Sequence, residues 1–183
     1  MADDPAFRFD GGATWLDLLA TRGLSFSARP VERLTDPERL ATWLRQCELR
    51  PDRAPGPTDL VRAQELRETL RALALATVAG DPPPAPALRA VGKMLRAPDP
   101  VRLAGKKRLR RKRPATTAEA LTRIARQAVD QLTGPQRQQL TVCAERDCRR
   151  VFADPTGRRR YCPASSCANR GRVRAHRERL RTP

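Results

Sequence analysis

The sequence predicts an α+β fold, mainly helical over residues 1–135 with a small β component, followed by a small cysteine-held module over residues 140–183. Three observations carry this prediction. Apolar side chains recur at helical spacing in capped segments, and four of the five cysteines fall after residue 142. The net charge of +17, from 37 Lys and Arg against 20 Asp and Glu, is concentrated in the C-terminal half.

The first helix is read at 14–21, TWLDLLAT, with Trp15, Leu18 and Leu19 inward and Gly23 as its stop. The second opens on Asp36, Pro37 and Glu38, where Asp36 caps, Pro37 fits the first turn and Glu38 faces the positive end of the dipole. Leu40, Trp43, Leu44 and Cys47 follow on one face, which makes Cys47 a small core residue. A long amphipathic helix is expected from Thr58 to Ala79. Ala63, Leu66, Leu70, Leu73, Ala74 and Thr77 form its stripe, Gly80 ends it, and Arg62, Glu65, Arg67, Glu68 and Arg71 make a solvated back face. Residues 81–86, DPPPAP, cannot propagate a helix and read as a loop or stiff linker before a short helix at 87–95. Thr116 and Glu119 form a capping-box pattern. The face of Leu121, Ile124, Ala125, Ala128, Val129 and Leu132 then ends at Gly134 and Pro135.

Cys143, Cys148, Cys162 and Cys167 form two C-x4-C pairs separated by thirteen residues. Two close pairs on separate turns can converge four sulfurs on one zinc ion at low loop-closure cost. A pair of disulfides or four unrelated thiols are the alternatives, but a reducing compartment argues against disulfides, and a module so poor in hydrophobic residues needs a staple. Four thiolates leave no open coordination position, so the zinc is structural. Between the pairs, 150–153 reads as a strand, 154–157 as a turn and 158–161 as the return strand, with a helix from Pro163 to Leu180. Knuckle, hairpin and helix together are the treble-clef plan, with Phe152 and Tyr161 as its small core. Zinc binding is then the folding energy of the module, and loss of the metal should unfold 143–183 while leaving the N-terminal helices intact.

Residues 1–98 carry 14 basic and 13 acidic side chains, residues 99–142 carry 11 and 3, and residues 143–183 carry 12 and 4. A field of this size attracts polyanions through counterion release, or anionic lipid headgroups. The run Lys106, Lys107, Arg108, Leu109, Arg110, Arg111, Lys112, Arg113 repels itself and reads as extended, either a basic loop or edge hairpin or an arm on nucleic acid. Arg170, Arg174, Arg177 and Arg181 share one stripe of the last helix, and Arg158, Arg159 and Arg160 add a second basic edge. Val173, His176 and Leu180 share another stripe, which makes His176 a packed, half-buried residue. Of the basic residues 33 are Arg, whose planar fork suits phosphate and guanine, although a GC-rich genome also enriches Arg. With seven aromatic residues the chain has few stacking platforms, which disfavours RNA-binding sheets. No apolar run approaches the roughly 18 residues of a membrane span, and the N-terminus MADDPAF is acidic where a signal peptide is basic. A cytoplasmic protein with no membrane partner is expected.

The stretch Cys143 to Arg181, with C-x4-C, then F-x-D-x-x-x-x-R-R-Y-C, then C-A-N-R and a basic helix, resembles the CGNR zinc finger. Ala168 stands for the glycine of the name motif and Tyr161 where Trp is usual; neither position is a ligand. Asn169 and Arg170 fall in that motif. Upstream, Phe9, the Gly11-Gly12 pair, Leu16-Asp17-Leu18 and the Leu40 to Leu44 and Leu66 to Leu73 helices resemble the ABATE domain that precedes such fingers in bacteria. The resemblance implies an α+β domain that takes an unidentified ligand, joined to a treble clef, in proteins proposed to be stress-induced transcription regulators. It also implies strands where the polybasic run stands.

The leading reading is a regulator of transcription. Its finger and basic segments bind nucleic acid, with duplex DNA as the partner, while the N-terminal domain senses a ligand or dimerises. Structured-RNA binding and a zinc-stapled adaptor for other proteins are the alternatives. Gly11 and Gly12 read either as a turn before the first helix or as part of a ligand pocket. An enzyme is not expected: Cys47 has no histidine nearby in sequence, the acidic residues are scattered, and no phosphate-cradling glycine motif or open metal site appears.

Overall fold

The computed structural model describes residues 6–97, 103–104 and 110–180. Six α-helices and three two-stranded antiparallel sheets follow the order α1 (Thr14–Ala20), β1 (Arg22–Gly23), β2 (Val31–Glu32), α2 (Pro37–Gln46), α3 (Pro57–Ala79), α4 (Ala85–Leu95), β3 (Leu103–Ala104), β4 (Arg110–Arg111), α5 (Thr117–Thr133), β5 (Leu140–Val142), β6 (Val151–Ala153) and α6 (Ser165–Arg179). A short 3-10 turn, Pro135–Gln139, links α5 to β5. None of the described helices is long and apolar enough to cross a membrane.

Local chemistry sets the helix ends. Asp36 accepts from the Arg39 amide at 2.8 Å and starts α2, and Gly80, at φ 74°, closes α3 in the left-handed conformation that a side chain would resist. At α5, Thr116 caps the Glu119 amide, but the Glu119 carboxylate returns to the Ala115 amide rather than to that of Thr116. Helix α1 stops at Ala20, before Gly23, which pairs with Val31 in the first sheet instead of ending the helix.

The main core gathers Trp15, Leu16, Trp43, Leu70, Ile124 and their neighbours from α1, α2, α3 and α5, each almost wholly shielded from water. Removing that apolar surface from water is the main stabilising contribution, about 1.5–3 kcal/mol for a Leu. The back face of α3 differs from the sequence reading. Arg67 and Arg71 are only 2% and 6% exposed. The Arg67 guanidinium reaches both Glu32 oxygens, at 2.6 and 2.7 Å, and the Thr21 hydroxyl, while Arg71 donates to the Leu19 carbonyl and to Glu68. This part of the face is charged yet buried because β1, β2 and the end of α1 pack against it, and complementary carboxylates make that possible, while Arg62 and Glu65 are exposed as expected.

The third sheet also departs from expectation. β6 pairs with β5, Val142 opposite Val151, and 158–161 is not a strand. The backbone there is held instead by the Ala144 amide on the Arg160 carbonyl at 2.9 Å. Within the polybasic run, Arg110 and Arg111 pair with Leu103 and Ala104 as an antiparallel hairpin. Lys106, Lys107, Arg108 and Arg181 lie outside the described residues.

Candidate metal centre and its seat on the helical domain

The β5–β6 hairpin carries the first cysteine pair at its tip. The Cys143 amide donates to the Arg150 carbonyl, and the Cys148 and Arg149 amides both donate to the Glu145 carbonyl, with Arg149 at φ 42° completing the tight knuckle. Cys162 precedes α6 and Cys167 lies in its first turn, so the second pair sits at the end of the helix where backbone amides face outward. All four sulfurs are buried and lie within 4.8 Å of one another. Cys148 to Cys162 is 4.0 Å and Cys162 to Cys167 is 3.6 Å. A tetrahedron with Zn–S bonds of about 2.3 Å has edges of about 3.8 Å, so these two distances are those of a zinc cage.

Electrostatics point the same way. Hydrogen bonding from Cys148 first, then from Cys162 and Cys167, drives the Cys143 thiol far below its ordinary range, while hydrogen bonding with Cys143 drives Cys148 far above it. Four sulfurs this close share protons when only protein surrounds them, and a divalent cation lets all four ionise. The chain holds one structural zinc ion in this cage. Arg170 donates to Cys167 Sγ at 3.3 Å and offsets part of the thiolate charge.

A second shell locks the module. Phe152 is wholly buried beside the sulfurs and Tyr161 packs at the edge. Gly171 faces the Tyr161 ring so closely that a Cβ there would overlap the phenol; the glycine is required for this approach, whatever it costs the helix. Arg174 on α6 reaches back to the buried Glu145 carboxylate at 2.6 Å and to Asp147 at 3.4 Å, clamping helix to knuckle.

The module is seated on the helical domain. Leu140 and Val151 belong to the main core. The Ala153 amide donates to the Gly11 carbonyl at 2.9 Å, and Gly12, at φ 93°, lies against the Ala153 methyl where a side chain would collide. Arg150, 6% exposed, places its guanidinium 2.7 Å from Asp10 and 3.8 Å from Asp17. Burial pushes the Asp17 carboxyl up to about 6, against the pull of the Gly11 amide and of Arg150. Burial also opposes ionisation of Asp10, yet Arg8 and Arg150 hold its carboxyl below the usual range. Across the same boundary, the Phe26 amide donates to the Asp147 carbonyl and Arg149 lies over the Phe26 ring. The zinc module thus contributes cover to the N-terminal core. Nothing in the sequence marked Arg150 as the partner of Asp10 and Asp17, because it lies more than 130 residues from both and no spacing rule joins them.

The basic residues sort into two groups. Arg158, Arg159 and Arg160 are exposed, as are Asn169 and Arg177. Arg170 and Arg174 are half-buried and engaged in the zinc module, which breaks the expected stripe of α6. Asn169 accepts from Arg172 at 2.6 Å. His176 is exposed, not packed, and Val173 and Leu180 beside it are 50% and 74% exposed. Of the glycine pair, Gly11 is buried against Leu16 and Asp17, while Gly12 lies at the edge of an open polar cleft with Arg111, Arg123 and Arg126. Both lie in the turn that meets the zinc module at Ala153.

Two family models match the chain. ABATE, described as "Putative stress-induced transcription regulator", matches residues 12–135, and the CGNR zinc finger matches residues 139–180. Neither family is of enzyme type. No curated protein matches the chain.

Proposed function

The chain belongs to the ABATE family and ends in a CGNR zinc finger, and on that premise we propose that it is a cytoplasmic DNA-binding transcription regulator, gathered to the nucleoid when bound. Residues 1–135 are the sensing or dimerising domain and 140–183 the reader. The reader follows the treble-clef plan, supported by a knuckle at a hairpin tip and a second ligand pair at the start of a helix.

One observation carries the reading: a braced turn that presents three consecutive arginines. Asp154 accepts from the Thr156 amide and hydroxyl and from the Arg159 amide at 2.6 Å, and Gly157 takes φ 63°. Arg158, Arg159 and Arg160 are thereby held exposed on a rigid loop, close to the zinc cage, where they can meet phosphates at little ordering cost. Exposed Arg177 and Lys112 extend the positive surface. Arg170 and Arg174 act one step back, holding the zinc module together.

Binding of the zinc-loaded chain to a random duplex, followed by fluorescence anisotropy, tests this. With about 6–8 phosphates contacted, affinity falls by three to five decades between low and moderate salt. Changing Arg158, Arg159 and Arg160 together to Gln lowers the salt slope by nearly three, at about 0.9 per phosphate. An unchanged slope, or displacement of the duplex by structured RNA at equal charge, defeats the proposal.

A further inference from the structure

We propose that a cleft in the helical domain, walled by the end of α2, the segment following β4, and α5, binds a small phosphorylated molecule through its terminal phosphate or diphosphate. The cleft encloses about 750 Å³, within the size range of small-molecule sites. Arg45, Arg50, Arg111, Arg113 and Arg123 line it, against Glu48 as the one carboxylate among its lining residues. These arginines come from two regions of chain about sixty residues apart, 45–50 and 111–123, so helical or strand periodicity does not account for their convergence.

The walls are built rather than loose. The Asp52 and Arg53 amides donate to the Pro114 and Ala115 carbonyls at 3.1 and 3.4 Å, tying the loop after α2 to the segment after β4. Arg123, 9% exposed, donates to the Lys112 carbonyl at 2.7 Å and fixes that segment to α5. Glu48, at φ 57°, makes the turn that carries Arg50 to the rim, secured by the Leu49 amide on the Leu44 carbonyl.

The lining dictates the ligand class. Leu49, Ile124 and Cys47 supply apolar surface, and burial pushes the Cys47 thiol up to about 12, so it stays neutral. Guanidinium groups around apolar side chains suit a molecule with an apolar body and a compact, doubly charged anionic end. A terminal phosphate offers several oxygens to converging Arg forks, whereas a backbone phosphodiester offers two oxygens and one charge. No aromatic ring lines the cleft, so recognition rests on the anion and not on base stacking.

The probe is inorganic pyrophosphate, titrated into the full-length zinc-loaded protein by calorimetry near physiological salt. One saturable site per chain is expected. The exposed pair Arg50→Gln with Arg113→Gln weakens it about tenfold, as loss of charge-assisted contacts does. Glu48→Gln tightens it about threefold by removing a like charge, a gain that a merely damaged fold does not give. Arg158→Gln with Arg159→Gln leaves it unchanged, so the result does not depend on whether the finger binds nucleic acid. Absence of saturable binding overturns the proposal, and so does equal weakening by the finger pair, which marks general anion attraction. A duplex that displaces pyrophosphate and itself binds worse to the cleft pair also overturns it, because the cleft is then a nucleic-acid contact.

Discussion

Replacing Arg150 by Met removes the one cation placed between Asp10 and Asp17 while keeping most of the aliphatic stem. Breaking a buried ion pair from one side costs about 3–5 kcal/mol in general. Two features place this case at the low end. The Asp10 side chain is 32% exposed and keeps Arg8 as a partner. Asp17, with its carboxyl already near pH 6, escapes the loss by taking a proton, which at pH 7 costs about 1.4 kcal/mol for one unit of pH. Adding the lost Asp10 contact, worth about 1.5 kcal/mol, gives about 3 kcal/mol at pH 7. At pH 5 Asp17 is already protonated in both proteins, so only the Asp10 part, about 1.5 kcal/mol, remains. In a chain of this size the loss at pH 7 lowers Tm by about 6–12 °C. The assay is urea unfolding with zinc in excess, followed by fluorescence of the buried Trp15 and Trp43 and, separately, by zinc release to a chromogenic chelator. Both transitions shift together, because Leu140 and Val151 lie in the core that holds the tryptophans. A loss under 1 kcal/mol at pH 7, equal losses at both pH values, or a shift of zinc release alone refutes the account.

The Asp17 carboxyl is raised in the folded state, so the penalty of ionising it is present at pH 7 and fades as pH falls through about 6. The Asp17 contribution should therefore gain about 1.4 kcal/mol between pH 7 and pH 5, set against the loss that protonation of the zinc-binding thiolates brings to every variant alike, while Asp10 and Glu68, held below the usual range, act only at lower pH. Asp17→Asn, whose amide oxygen still accepts from Gly11, should lack that contribution, so in denaturant titrations of the two zinc-saturated proteins the stability difference, wild type minus variant, should rise by about 1.4 kcal/mol from pH 7 to pH 5; a difference that stays constant or falls is the contrary result. Gly171→Ala forces Tyr161 off α6 and should cost about 1–3 kcal/mol with weaker zinc retention against a competing chelator. Adding Tyr161→Ala should recover part of that loss, and strictly additive losses would show that the close approach is not its source.

The sequence carried a feature clearly wherever its signal was local. The Asp36 cap, the Gly80 stop and the capping at Thr116 act within four residues, and the two C-x4-C pairs announce a zinc cage by spacing alone. What it hid was set by surfaces that meet from afar. Arg67 and Arg71 have the pattern of a solvated face, and only the fold of β1 and β2 over α3 turns them inward onto Glu32, Glu68 and Thr21. The strand at 151–153 was legible, but its partner was not: an antiparallel neighbour can lie on either side, and burial of Leu140 against the main core selects β5 over 158–161. Helical spacing likewise put Arg170 and Arg174 on one stripe with Arg177, with no hint that Cys167 and Glu145 would claim them.

That claim changes where the positive surface of the finger lies. A zinc ion with four thiolates carries a net charge of minus two, and nearby cations lower the cost of burying it. Arg170 does this directly at Cys167, and Arg174 neutralises the buried Glu145 carboxylate of the knuckle. Arginines so engaged give up free rotation and much of their reach, so they are poor phosphate contacts. The Asp154 turn meets the opposite requirement: its carboxylate binds backbone amides and a hydroxyl rather than a guanidinium, and leaves Arg158, Arg159 and Arg160 facing solvent. On the proposed reading the turn is then the face of the zinc module that meets the polyanion, with exposed Arg177 of α6 as a further contact.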